Sequence, residues 1–213
     1  MEAAEAVNAT SGLVLVDSAQ GVEQLREAIQ AVALAADTGK DAPDMLAGIR
    51  LEVENGKLLL IATDRFRMHV AEIPVEGDGV TDANLVPSLV NAKELAAWAK
   101  SAKGACQLNI RRTDLHLELE TNRNLVRLVL SGGEYPKWRS FIEAKEEKPQ
   151  SVNRLAVNGK YAYDLSKAYS LATGEKVPHL QLDITDANKP MRTHVEGRRF
   201  TFTGLLMPIR LPS

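Results

Sequence analysis

Three times along the chain, a helical pattern of apolar residues is followed by alternating apolar residues with one recurring signature. The helical patterns begin near residues 22, 92 and 159, and the strands after them carry Leu51-Glu52-Val53, Leu108-Asn109-Ile110 and Leu182-Asp183-Ile184. A repeated supersecondary unit constrains a fold strongly, because each copy must bury its apolar face against a neighbour. In the first unit Leu13-Val14-Leu15-Val16 reads as a strand. Val22, Leu25, Ile29, Val32 and Ala36 then recur at helical spacing, giving one apolar stripe. Leu46, Ile49, Leu51 and Val53 lead into Glu54-Asn55-Gly56, and Asn-Gly is a strong signal for a two-residue hairpin turn. Leu58 to Thr63 is the return strand. Asp64-Arg65-Phe66 turns into a third strand from Arg67 to Val75. This is a βαβββ unit with its helix on one face of an antiparallel sheet.

The second unit has a short strand over 84–87 and a helix from Ala92 to Ala102. Asn91 is its N-cap, with Glu94 placed for a capping box, and Gly104 is its stop. Alternating strands follow through Cys106, Leu108 and Ile110, through Leu115, Leu117 and Leu119, and over 125–130. The third has Leu155-Ala156-Val157, a helix from Gly159 to Ala172, and alternation at Leu180, Leu182 and Ile184, at Met191, Thr193 and Val195, and at Phe200 and Phe202. The fold class is α+β. Residues 1–12 read as a disordered tail, 13–131 as a domain of two units, 132–152 as a linker, and 153–213 as a single half-domain.

Composition narrows the functions open to such a fold. A net charge of −2 excludes a generally basic nucleic-acid coat, though not a local basic face. Aromatic residues are only 5%, too few for a platform that stacks single strands. Cys106 is the one cysteine, which excludes an internal disulfide and a multi-cysteine metal site, and fits a reducing, cytoplasmic setting. No apolar run approaches the ~20 residues of a membrane helix. His69, His116, His179 and His194 have no zinc-ligand spacing, and no nucleophile elbow or phosphate-binding loop is present. Asp64 is the most enzyme-like carboxylate, yet no second acid, base or metal ligand stands at an interpretable spacing. Its expected role is to hydrogen-bond a turn backbone. Cys106, alternating with Leu108, is expected to be a buried, inert thiol. The expectation is a non-enzymatic protein with no metal and no cofactor.

Three segments carry a resemblance. They are Leu58-Leu59-Leu60-Ile61-Ala62-Thr63-Asp64-Arg65-Phe66-Arg67-Met68, Gly133-Glu134-Tyr135-Pro136-Lys137-Trp138-Arg139-Ser140-Phe141-Ile142, and Leu205-Leu206-Met207-Pro208-Ile209-Arg210-Leu211. Together they resemble the bacterial sliding clamp, the β subunit of the replicative DNA polymerase. The resemblance spans 13–211 and implies the family's middle domain plus the second half of its last domain. In that family, partner proteins insert a short hydrophobic peptide into a pocket between those domains. Carried over by motif, the pocket wall is Leu46, Thr63, Arg67 and Met68; Pro136, Arg139 and Phe141; and Leu205, Met207, Pro208, Ile209 and Arg210. Two departures stand out: Arg139-Ser140 replaces a basic pair, and Phe141 is bulkier than the usual aliphatic residue, which implies a narrower pocket. Without the resemblance, Leu46, Met68, Leu205 and Met207 read as core.

The resemblance also implies helices that face duplex DNA through lysine and arginine. Arg26, Lys93, Lys100, Lys103, Lys160 and Lys167 stand against Glu23, Glu27, Glu94 and Asp164. A solvated mixed-charge face accounts for that small excess equally well. The implied function is a processivity factor that binds clamp-interaction peptides and tethers a polymerase to duplex DNA by non-specific phosphate contact. The partners would be a polymerase or another protein with a clamp-binding motif, a clamp loader and further copies of the chain, with no membrane. The rival is a clamp mimic that captures the same peptides without encircling DNA.

Overall fold

A computed structural model describes residues 13–16, 18–74, 87–142 and 151–210. The expected tail, most of the strand expected over 84–87, residues 143–150 of the expected linker, and Leu211 lie outside the described residues.

The first unit comprises β1 (Leu13–Val16), α1 (Ala19–Ala33), a single turn α2 (Asp44–Ala47), β2 (Gly48–Glu54), β3 (Lys57–Thr63) and β4 (Arg67–Pro74). The second comprises β5 (Ser88–Asn91), α3 (Ala92–Ser101), β6 (Leu108–Arg112), β7 (His116–Thr121) and β8 (Leu125–Val129). The short α4 (Arg139–Ile142) follows, then α5 (Gly159–Thr173), β9 (Met191–Glu196) and β10 (Thr201–Leu206). Each long helix has a side-chain cap. Ser18 Oγ accepts from the Gly21 N–H, Asn91 from Lys93 and Glu94, and Asn158 from Lys160 and Tyr161. Asn55 and Gly56 both have positive φ, 50° and 70°, as the expected two-residue hairpin turn between β2 and β3 demands.

The first two units exchange strands. β1 pairs with β6 in a sheet of order β1-β6-β7-β8, and β5 pairs with β2 in a sheet of order β5-β2-β3-β4-β10-β9. The second sheet runs without a break from first-unit β4 to third-unit β10, all antiparallel. α1 packs against α3, α5, β3 and β4, so one helical layer covers the inner faces.

Alternation divides the long sheet into two buried faces. Leu58, Leu60 and Ala62 on β3, with Ala71 and Ile73 on β4, join the core under the helices. Leu59, Ile61, Met68 and Val70 point the other way, to Tyr135, Trp138, Leu89 and Leu205. The stretch expected as a linker is thus, through Ile142, the cover of the outer sheet face. The Tyr135 hydroxyl donates to the Ile61 carbonyl at 3.1 Å, anchoring it there.

Several local expectations are corrected. Residues 44–47 form a helical turn in place of a lead-in to the strand. Leu180, Leu182 and Ile184 do not make a strand: only Asp183 bridges, to Arg192, because no continuous ladder forms along that edge of β9. Leu155-Ala156-Val157 likewise makes only the bridge Ala156 to Ile209. Cys106 is exposed, not buried, since β6 begins after it at Leu108.

Candidate functional site

Antiparallel register places Leu205 opposite Met68, and Leu206 opposite Arg67, at the end of the β4–β10 seam. The turn from β3 into β4 closes that end. Asp64 Oδ1 accepts from the Phe66 and Arg67 N–H groups, each at 3.0 Å. Thr63 Oγ1 donates to the Arg67 carbonyl at 2.7 Å and accepts from the Arg65 N–H at 3.2 Å. Asp64 therefore holds the turn. With its side chains engaged in this way, the turn places Arg65 at φ 77° and leaves Phe66 58% exposed. The Met207 N–H donates to the Phe66 carbonyl at 2.8 Å, which extends the seam past the end of β10.

Above this corner opens a cavity of about 200 Å³, lined by Thr63, Arg65, Phe66, Arg67, Met68, Pro136, Phe141, Pro190, Leu205 and Met207. Its walls are predominantly apolar, and methionine makes part of the lining adaptable. The one buried charge, Arg67, is fully engaged. Its Nε donates to Asp64 Oδ2 at 2.9 Å and its Nη1 to Asp164 Oδ2 at 2.5 Å, and its guanidinium lies 4.3 Å from the Tyr161 ring centroid. Lys160 Nζ donates to the same Asp164 oxygen at 2.8 Å. Burial raises the Asp164 pKa, but hydrogen bonds from Lys160 and Arg67 outweigh it and hold the carboxyl below its usual value. The cavity is tied through this carboxylate to α5.

Seven residues expected at a peptide pocket line this one cavity: Thr63, Arg67, Met68, Pro136, Phe141, Leu205 and Met207. Five expected with them stand elsewhere. Leu46 is the buried residue of α2 and does not line the cavity. Arg139 lies over the Trp138 ring and pairs with Glu52 and Glu54. Pro208, Ile209 and Arg210 lie beyond the lining, where the chain turns to bridge Ala156. Arg65, Phe66 and Pro190 were not anticipated. The first two were legible, since any turn between a lining Thr63 and a lining Arg67 must stand at the rim. Pro190 carries no such signal.

The helix residues expected to face DNA separate into two groups. Arg26 is buried: its guanidinium donates to the Ala99 carbonyl and to Glu23, so it braces α1 against α3 and is not free to contact phosphate. Lys93, Lys100, Lys103, Lys160 and Lys167 are exposed. Of the opposing acids, Glu27 is paired with Arg199, outside this set, and Asp164 is shared by Arg67 and by Lys160 of the set itself. Lys93, Lys100, Lys103 and Lys167 form no ion pair among the described residues. No helix of the described residues is long and apolar enough to cross a membrane.

Solved structures share this fold. DNA polymerase III β subunit from Thermotoga maritima matches at TM-score 0.72 and 17% identity, over 100% of this chain and 68% of that one. A DNA polymerase sliding clamp from Pseudomonas aeruginosa matches at 0.73 and 15%, over 99% and 70%. The sliding clamp of Caulobacter crescentus matches at 0.71 and 16%, over 98% and 68%. Residues 21–137, which run from the first turn of α1 through β8 and the outer-face cover as far as Lys137, match the family described as DNA polymerase III beta subunit, central domain, and the chain belongs to that family.

Proposed function

We propose that this protein is a sliding-clamp-type processivity factor that takes a hydrophobic clamp-interaction peptide in the seam cavity and tethers the peptide's owner, a polymerase or related factor, to duplex DNA. The observation that carries the reading is convergence: three segments far apart in sequence meet in one apolar cavity, with Thr63 and Met68 from the first, Pro136 and Phe141 from the second, Leu205 and Met207 from the third. An apolar cleft with few polar groups suits anchor side chains of a peptide. Lys93, Lys100, Lys103 and Lys167, exposed on and beside the helices, would supply weak, salt-sensitive phosphate contact, which lets a clamp slide. In this reading residues 13–131 act as a complete clamp domain. Residues 153–213 are a half-domain that pairs with other copies around DNA, and a loader opens the assembly.

The test is fluorescence anisotropy of a labelled nonapeptide with Leu and Phe anchors, titrated with the full chain. Saturable binding is expected, and Met207→Ala should weaken it about tenfold through lost apolar contact of the order of 50 Å². The fold should survive, because Met207 is half-exposed and its backbone bond to Phe66 does not depend on its side chain. An unchanged dissociation constant in Met207→Ala rules the cavity out as the peptide site.

A further inference from the structure

We infer that Arg65 makes the mouth of the cavity a carboxylate subsite, so that the peptide it selects carries an acidic side chain beside its apolar anchors. The inference rests on the peptide-binding reading above and adds the chemistry of the partner.

Four observations support it. Arg65 lines the cavity and is exposed, and its side chain has no hydrogen bond or ion pair with any described residue. Every other charge in the network at this corner is spent: Arg67 holds Asp64 and Asp164, and Lys160 holds Asp164. Two carboxylates thus face two engaged cations, and the guanidinium of Arg65 is the surplus positive charge. Its backbone, at φ 77°, occupies a region that glycine enters freely and other residues rarely do. The turn is held by Thr63 Oγ1 and Asp64 Oδ1, which bond backbone groups only, so a glycine here would keep every one of those bonds. The arginine side chain thus adds no polar tie to the fold. What it adds is a planar donor fork at the edge of an apolar cavity, which matches a carboxylate.

The lining decides where that carboxylate sits. The walls are apolar and suit the anchor side chains, and Arg65 is the exposed charge at their edge. An Asp or Glu flanking the anchors satisfies the rim while the anchors satisfy the walls.

The experiment compares three labelled nonapeptides with the same Leu and Phe anchors. One has Glu beside the anchors and an amidated end, the second has Gln there and an amidated end, and the third has Gln and a free C-terminal carboxylate. In about 50 mM salt the full chain is expected to bind the Glu peptide about fivefold more tightly than the amidated Gln peptide, the range of an exposed ion pair. The gap should shrink in about 500 mM salt. Arg65→Gly and Arg65→Gln should abolish the preference, so that each variant binds the Glu peptide and the amidated Gln peptide equally, and Arg65→Lys should keep part of it. Equal binding of the Glu and Gln peptides by the unaltered chain, or a preference that survives both neutral substitutions, overturns the subsite. Tighter binding of the free C-terminal carboxylate than of Glu overturns its assignment to a side chain. If none of the three peptides binds, the peptide reading itself falls, and the subsite with it.

Discussion

His69 gives the stability of this fold a defined pH signature. The residue lies on the inner face of β4, fully buried, with its ring edge against Phe202 at a centroid distance of 5.2 Å. Its Nδ1–H donates to the Ala31 carbonyl at 2.8 Å, in the last turn of α1, where helical partners for carbonyls run out. Burial is the largest influence and lowers the imidazole pKa from 6.5 to about 4; the Ala31 bond raises it, Arg67 lowers it and Asp164 raises it by smaller amounts. The folded state therefore holds a neutral ring while the unfolded chain takes up a proton below pH 6.5. Stability from this site is present at neutral pH and is lost as pH falls from 6.5 towards 4. Integrating between pH 7 and 5 gives a loss of about 2 kcal/mol, at about 1.4 kcal/mol per unit where the difference is complete. The perturbation is His69→Phe, which keeps an aromatic ring against Phe202 and removes the titration. The assay is urea unfolding of both proteins at pH 7, 6 and 5. The variant is expected to be less stable at pH 7, because the Ala31 carbonyl loses its donor at a cost of about 1–3 kcal/mol. That gap should then close by about 2 kcal/mol at pH 5. Every other titrating group is common to both proteins and cancels. Parallel stability curves from pH 7 to 5 would refute a buried, neutral His69.

Two further outcomes test the ionic corner and the helix face. Asp164→Ala leaves Arg67 with only Asp64 and should cost about 3 kcal/mol, as for one partner of a buried pair, with loss of peptide affinity if Arg67 then swings into the cavity; full stability in urea would show that Asp64 alone suffices. Neutralising Lys93, Lys100 and Lys167 together should flatten the dependence of duplex binding on salt concentration, measured as log K against log salt, and an unchanged slope would mark these lysines as merely solvated.

Much of the scaffold was legible because local chemistry and tertiary packing agree. The Asn91 cap, the Asn55-Gly56 turn and the apolar helical patterns each have a mechanism confined to a few residues. The failures mark where neighbours decide. Arg26 reads as a basic surface residue beside Leu25, but α3 lies across that part of α1 and presents the Ala99 carbonyl. Cys106 shares the parity of Leu108, yet the strand starts too late to bury it. Leu180, Leu182 and Ile184 alternate as a strand should, and only one residue among them finds a ladder partner. The apolar run from Leu58 to Ala62 read as a strand with a helix on one face of its sheet, and the structure buries both of its faces. Nothing in the run itself named Tyr135 and Trp138 as the outer cover. Of the candidate site, seven residues named by the resemblance line the cavity, while Arg139 stands away from it, held by Glu52 and Glu54 on a strand distant in sequence.

The cavity belongs to a joint and to neither of the units that meet there. β4 comes from the first unit and β10 from the third, and only their register brings Met68 beside Leu205. Alternation then assigns the two sides of the seam different tasks. Met68 and Leu205 face outward with Tyr135 and Trp138. Arg67, one residue earlier, reaches inward to Asp164 on α5 and locks that helix to the turn. Gly204 permits the approach: a Cβ there would lie 2.3 Å from a methyl of Leu165 on α5 and 3.0 Å from Thr193 on β9. A side chain at that position must displace the Leu165 methyl and crowd Thr193. Gly204 and Arg67 thus both hold α5 to the seam, one by close packing and the other through Asp164, and Arg67 is at the same time part of the cavity wall.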